Sequence, residues 1–354
     1  MRGSAYMKTA STFLSVLGAS ATLTLASSCV QAQTSRQTLI PHATWDCGMP
    51  QGIPNPEGGR LLFEIEIPLE RTVDVGQTQY GLRRVAVGLE GSVEGPRLSG
   101  TVAPGALDFE LTLANETIEI EQALVLRASD GSFIYARNAG IGPNAADVRV
   151  VMDFEAPNDS MHAWLNSGQF VARRELNTAA KVMQLRVYDV SNVRTDSGND
   201  GSVSIAKPAD VAAQPWGYRS KDASERQGDL LITENVTLSP SQRVGESKRG
   251  MRNIIPITGG ILSGRIAGQV LMGGADYQLL SPPATIDAHY LWQTSDGEIV
   301  IVRNGGSFGS LVPTFETRAD GPYAYLNANL YLSSDPSMGQ GGVALSFYES
   351  VSGP

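Results

Sequence analysis

The sequence predicts an all-β protein: two tandem antiparallel β-barrels joined by a polar linker, after a cleaved leader. Three observations carry that reading. One long residue pattern is written twice, apolar and polar residues alternate at period two through much of it, and Asp-Gly pairs separate the alternating runs. The duplication is parsed first because it sets the boundaries of everything else. Val75, Gly76, Gly81, Arg83 and Gly91 return as Val244, Gly245, Gly250, Arg252 and Gly260. Further on, Gly95, Gly105, Asp108, Asn138 and Gly140 return as Gly264, Gly273, Asp276, Asn304 and Gly306. Phe154-Glu155 matches Phe315-Glu316, and Ala163-Trp164-Leu165-Asn166 matches Ala324-Tyr325-Leu326-Asn327. Tyr188 finally matches Tyr348, so the offset falls from 169 to 160 by small steps, as loop deletions produce, and the order never breaks.

Taken in order, residues 1–32 read as a secretory signal. Arg2 and Lys8 give a positive start, FLSVLGASATLTLA is too short and too rich in small residues for a good membrane span, and Val30-Gln31-Ala32 offers cleavage after Ala32. The bland reading is a disordered or weakly helical N-terminus. Residues 33–58 form an N-terminal extension. Cleavage leaves Cys47 without Cys29, so no intramolecular disulfide is expected. The first barrel unit spans 59–192, with LLFEIEIPL, ALVLRASDGSFIYARN and VMQLRVYDV as its clearest strands. Residues 193–227 are the polar linker, and 228–350 the second barrel unit. Asp130-Gly131 and Asp296-Gly297 are two-residue hairpin signals at matching places. Many short strands at regular spacing suit a closed barrel, which removes exposed sheet edges. Asn115, Asn158 and Asn235 head N-glycosylation triplets that agree with secretion.

Together the repeated VGxxxxGxR, GxxxGxxxxGxVxPGxxD, SDGxxIxxRNxG, FE and A(W/Y)LN motifs resemble a calycin-like barrel family catalogued as a domain of unknown function, normally present as one copy. The resemblance covers both units and implies a small antiparallel barrel with an internal pocket. In overall build, a secreted tandem copy also resembles the fungal hetero-Diels–Alderases of tropolonic sesquiterpenoid pathways. No diagnostic motif carries that second resemblance.

Composition excludes some functions. The net charge of −9, with no Lys/Arg-rich run, disfavours nucleic acid and anionic membrane surfaces as partners. The glycines lack phosphate-loop spacing and read as turns and barrel corners. Gly305-Gly306-Ser307-Phe308-Gly309 fits a nucleophile elbow only formally, since no helix follows and the other unit has Ile141 at the place of Ser307. His42, His162 and His289 are too scattered for a metal-ligand pair with Cys47, so no metal and no cofactor are expected.

The segment TIDAHYLWQTSDG is the richest in chemistry. Alternation puts Asp287 and His289 on one face and Tyr290 and Trp292 on the other. An acid two residues from a histidine can reach it across the pleat and set its tautomer. The first unit keeps an acid there, Glu121, but has Ala123 at the place of His289. The bland alternative is a solvated ion pair. Arg83 and Arg252 either pair with Asp108/Asp276 or Glu155/Glu316 as structural ties, or hold a substrate oxygen with their forked donors. Trp164 and Tyr325 suit either barrel core or a stacking wall. The functional expectation is a cofactor-independent cyclase for a hydrophobic secondary-metabolite intermediate. Most concretely, it is an intermolecular hetero-Diels–Alder reaction of a tropolonic or phenolic quinone methide with a terpene alkene. Asp287, His289, Arg252 and Glu316 are the candidate catalytic groups, and Tyr290, Trp292, Trp164, Tyr325, Arg83 and Glu121 the candidate substrate contacts. The alternative is a secreted, non-catalytic carrier of a hydrophobic small molecule. Whether the pocket lies in one barrel or between the two stays open, as does the oligomeric state.

Overall fold

Alternating runs become strand almost everywhere in the computed structural model, which describes residues 36–38, 53–193, 217–339 and 341–352. The expected leader and cleavage after Ala32, together with His42, both cysteines and Trp216, fall outside the described residues. Among the described residues no helix is long and apolar enough to cross a membrane.

In the first barrel one long strand, Arg60–Gln77, pairs along one edge with Val182–Asp189. Along its other edge it pairs first with Gly91–Glu94 and then with Leu82–Gly88. The circuit returns through Phe170–Asn177, Val148–Glu155, Phe133–Gly142 and Ile118–Ala128, all antiparallel. Every second residue turns inward, so Ile65, Ile67, Leu124, Leu126 and Phe154 share one apolar core.

The second barrel repeats the plan with Glu225–Leu238, Gly250–Gly264, Thr285–Thr294, Ile299–Ser307 and Gly342–Ser352. It departs at one seam. In the first barrel Phe170–Arg174 is zipped to Val148–Met152. The matching strand of the second barrel shrinks to Tyr331–Ser333, and no ladder joins it to Val312–Thr317 among the described residues. There the Ser333 N–H donates to the Leu311 carbonyl at 3.1 Å.

The two barrels pack face to face within one compact unit. Val75, Val85, Leu107 and Phe109 meet Leu271, Leu291, Ile299 and Ile301 in one apolar cluster. Their repeat partners Val244, Ile254, Ala275 and Tyr277 meet Ala103, Val125, Phe133 and Tyr135 in a second. Each cluster is the other with the copies exchanged, which is the pattern of an isologous two-fold contact. The polar ties obey the same rule. Arg83 grips Glu316 at 2.8 and 3.0 Å, and Arg252 grips Glu155 at 3.1 and 2.8 Å. A hydroxyl completes each pair, Thr78 on Glu316 and Ser247 on Glu155.

Candidate active site

The interior of the second barrel holds a cavity of about 260 Å³. Its walls are mostly aliphatic, with Val236, Ile257, Ile286 and Leu345 among them, and Leu311, Pro336 and Phe308 stand at the open seam. Phe308 is well exposed at the mouth. The polar groups reaching the cavity are Glu234, Asp276, Gln278, Tyr290 and Asn304, and among the described residues no Lys, Arg or His lines it.

Glu234 faces inward from Glu225–Leu238 and is fully buried. The Tyr290 hydroxyl donates to one carboxyl oxygen at 2.5 Å and the Trp292 indole N–H to the other at 2.8 Å. Burial raises its pKa to about 7, the two donated bonds lowering it only in part. Asp276 stands on Ala275–Leu279, where the repeated GxxD carries the chain straight into a strand rather than closing a turn. It keeps some solvent contact through the cavity it lines. Its carboxyl accepts the Asp287 backbone N–H at 3.1 Å and the Gln278 amide at 2.7 Å. Desolvation again dominates and raises its pKa to about 7. Two carboxyls half-protonated near neutrality, in an apolar chamber, can give a proton to a bound molecule or take one.

The first barrel has lost, or never had, this chemistry. Strand register puts Ile65 at the place of Glu234, with Leu124 and Leu126 at those of Tyr290 and Trp292. Asp108 matches Asp276, but buried Arg174 clamps it at 3.0 and 2.5 Å and also meets Glu110 at 2.9 Å. In the second barrel the stretch corresponding to Arg174 is Ser334-Asp335-Pro336, which bulges at the seam and leaves the chamber open. A larger concavity, about 360 Å³, lies on the outer face of the first barrel among Glu64, Glu66, Glu94 and Glu175. It is open and polar.

The alternation read in TIDAHYLWQTSDG places its residues as expected, Tyr290 and Trp292 inward and Asp287 and His289 outward. Outward here means the contact between the barrels. Asp287 comes within ion-pair distance of His289, at 2.7 Å, without hydrogen-bond geometry, and His289 is fully buried. Around it Arg137 joins Asp287 at 2.6 Å and Glu121 at 2.8 Å, and Arg303 joins Glu121 at 2.8 Å. Burial alone would raise the Glu121 pKa, but Arg303 and Arg137 outweigh it and hold it at about 2. Arg83, Arg252, Glu121, Asp287, His289 and Glu316 therefore gather in inter-barrel ties, and none lines the cavity. Trp164 packs on Phe170 beneath the Arg97 guanidinium, 4.6 Å from its ring centre, and Tyr325 is exposed at the start of the short helix Tyr325–Ala328. Asn115, Asn158 and Asn235 are all exposed, although the Asn158 amide already donates to the Ser247 carbonyl at 2.9 Å. Among the described residues no three His, Cys, Asp or Glu side chains are grouped to hold a metal.

A sequence profile described as a protein of unknown function, DUF3237, matches residues 59–193 and again 228–310. The chain belongs to the DUF3237 family. The barrel family that the repeated motifs resemble is thus met, in two copies. A UPF0311 protein of Bradyrhizobium diazoefficiens is 48% identical over 78 residues, 22% of this chain and 51% of that one. This DUF3237 chain spans about half the length of these bacterial relatives. The hydroalkoxylation enzyme phnH of Penicillium herquei is 27% identical over 114 residues, 32% of this chain and 76% of that one. A crystal structure of a β-barrel-like protein from Acinetobacter baumannii shares 26% identity, covering 37% of this chain and 99% of that one, with a TM-score of 0.32. This DUF3237 protein is therefore a distant homologue of a fungal enzyme.

Proposed function

We propose that the second barrel is a cofactor-independent cyclase for an uncharged, hydrophobic, oxygen-bearing intermediate, with a cavity carboxyl as general acid. The observation that carries this reading is the pair Glu234 and Asp276, both kept protonated toward neutral pH inside an otherwise aliphatic chamber. A carrier needs the chamber but not the acids. The distant relative's hydroalkoxylation fits the same groups: a carboxyl gives its proton to an alkene carbon, a substrate hydroxyl oxygen bonds to the other carbon, and the hydroxyl proton returns to the carboxylate. The most concrete reaction is the hetero-Diels–Alder addition. One carboxyl protonates the hydroxymethyl oxygen of a hydroxymethyl tropolone or phenol, water leaves, and the ring hydroxyl returns a proton to that carboxylate, forming the quinone methide. The chamber then holds that heterodiene against a terpene alkene in near-attack geometry, while a carboxyl O–H bonds to its carbonyl oxygen. The leader and the exposed Asn triplets support a secretory location for this chemistry.

The test is turnover by the mature chain, without added cofactor, of a hydroxymethyl tropolone or phenol with humulene, followed by chiral analysis of the adduct. The expected result is a single enantiomer, with Glu234→Gln and Asp276→Asn reducing turnover about a hundredfold or more and changing affinity little. Racemic product at the uncatalysed rate, with tight ligand binding in all three proteins, would make the molecule a carrier.

A further inference from the structure

The strand Thr285–Thr294 works on two sides. Its inward residues line the cavity, and its outward residues meet the first barrel. Its main chain joins the two sides at Asp287. The backbone N–H of Asp287 donates to Asp276 at 3.1 Å, while its carboxylate takes a hydrogen bond from Arg137 of the first barrel at 2.6 Å. Arg137 is fixed in turn by Glu121, and Glu121 by Arg303, so the anchor belongs to a buried network rather than to one mobile side chain. We propose that Arg137 is a positioning residue for the second barrel's site, holding Asp287 so that its N–H orients the carboxyl of Asp276.

This inference rests on the reading of Asp276 as a cavity acid. It gives the first barrel, whose own interior is filled by Arg174, a part in a site it does not contain. Two effects of Arg137 act in one direction. It pins the segment that supplies a donor to ionised Asp276, and its charge offsets that of Asp287, whose carboxylate disfavours a second negative charge nearby. The other titratable and charged groups around Asp276 are Tyr277 next to it on its own strand, His289 and Tyr290 on the strand of Asp287, Arg252 on Gly250–Gly264, which pairs along the opposite edge, and Glu234 in the same cavity. Arg137 is singled out because it bonds to Asp287 from the other barrel.

The measurement is the carboxyl titration of Asp276 in the full chain, followed by NMR with 13C-labelled aspartate and assigned by the signal missing from Asp276→Asn. Arg137→Gln is expected to move the midpoint upward by about half a pH unit or more. Asp287→Asn, which keeps the backbone N–H but removes the charge, is expected to move it downward. Arg137→Lys restores a point charge without the fork and is expected to fall between wild type and Arg137→Gln. A residue that only glues the barrels together would lower stability without displacing the Asp276 titration. Coincident titrations of wild type and Arg137→Gln overturn the proposal. If Arg137→Gln does not fold, coincidence of wild type with Arg137→Lys does so. The titration needs no substrate. An Asp276 that titrates near 7 in a wild type without turnover would therefore count against the cyclase reading, and not against the role of Arg137.

Discussion

Glu234 is a burden to the fold as soon as it ionises. Its carboxyl titrates near 7 in the folded chain and near 4.5 when exposed, so folding binds a proton in that interval. The associated stability is fully present below about 4.5 and is lost as pH rises through about 7. The loss approaches about 3 kcal/mol. Glu234→Gln removes the titration but keeps an oxygen for the Trp292 N–H, with the Tyr290 hydroxyl turned to accept from the amide. Its stability relative to wild type should be flat near pH 4 and become increasingly favourable toward pH 8, read from urea midpoints across that range. A constant difference at all pH values would mean that Glu234 is not held protonated. The same residue shows where sequence reading stopped. A lone Glu in LLITENVTL looks like an outward strand position until the register with LLFEIEIPL is drawn. That register sets Glu234 against Ile65, Tyr290 against Leu124 and Trp292 against Leu126. Three coordinated apolar-to-polar exchanges at inward positions were the available signal.

At the scale of strands, period and turns were legible because they are local. Alternation sorted Tyr290 and Trp292 from Asp287 and His289, and the Asp-Gly pairs marked real hairpins. The seam was not legible, since the loss of pairing between Val312–Thr317 and Tyr331–Ser333 is a relation between segments. What holds the mouth in shape there is the Asp335 carboxylate, which accepts the Gly309 N–H at 2.7 Å and so ties the turn bearing Phe308 to the bulge. Asp335→Ala should cost about 1 kcal/mol or less, being an exposed bond. It should nevertheless raise both association and dissociation rates of an apolar fluorescent ligand, measured by stopped flow. Unchanged rates would mean that the turn does not guard the chamber.

Across the whole molecule, the repeated Arg and Glu were visible in the sequence but their pairing was not. Each copy carries both partners, so Arg83 with Glu155 and Arg83 with Glu316 look alike until the barrels are placed. The structure chooses the crossed pairs, which are buried. Glu155→Ala and Glu316→Ala each leave an arginine charge uncompensated and should each destabilise by about 3 to 5 kcal/mol. Chemical denaturation of the two variants should give similar losses, because the ties are copies of one another. A large loss in one and none in the other would show that the contact is not shared evenly.

A two-fold contact between separate chains obliges every residue near its axis to tolerate its own twin, and makes assembly depend on concentration. Here both sides belong to one polypeptide. The barrel-to-barrel contact is thus a unimolecular equilibrium, and the melting temperature should not move over a hundredfold dilution. The twins are also released from identity. Asp287 faces what Glu121 faces, His289 stands where Ala123 does, and one chamber is sealed by an arginine while the other keeps two acids. One polypeptide thus joins a half with an open, acid-bearing chamber to a half whose interior Arg174 closes.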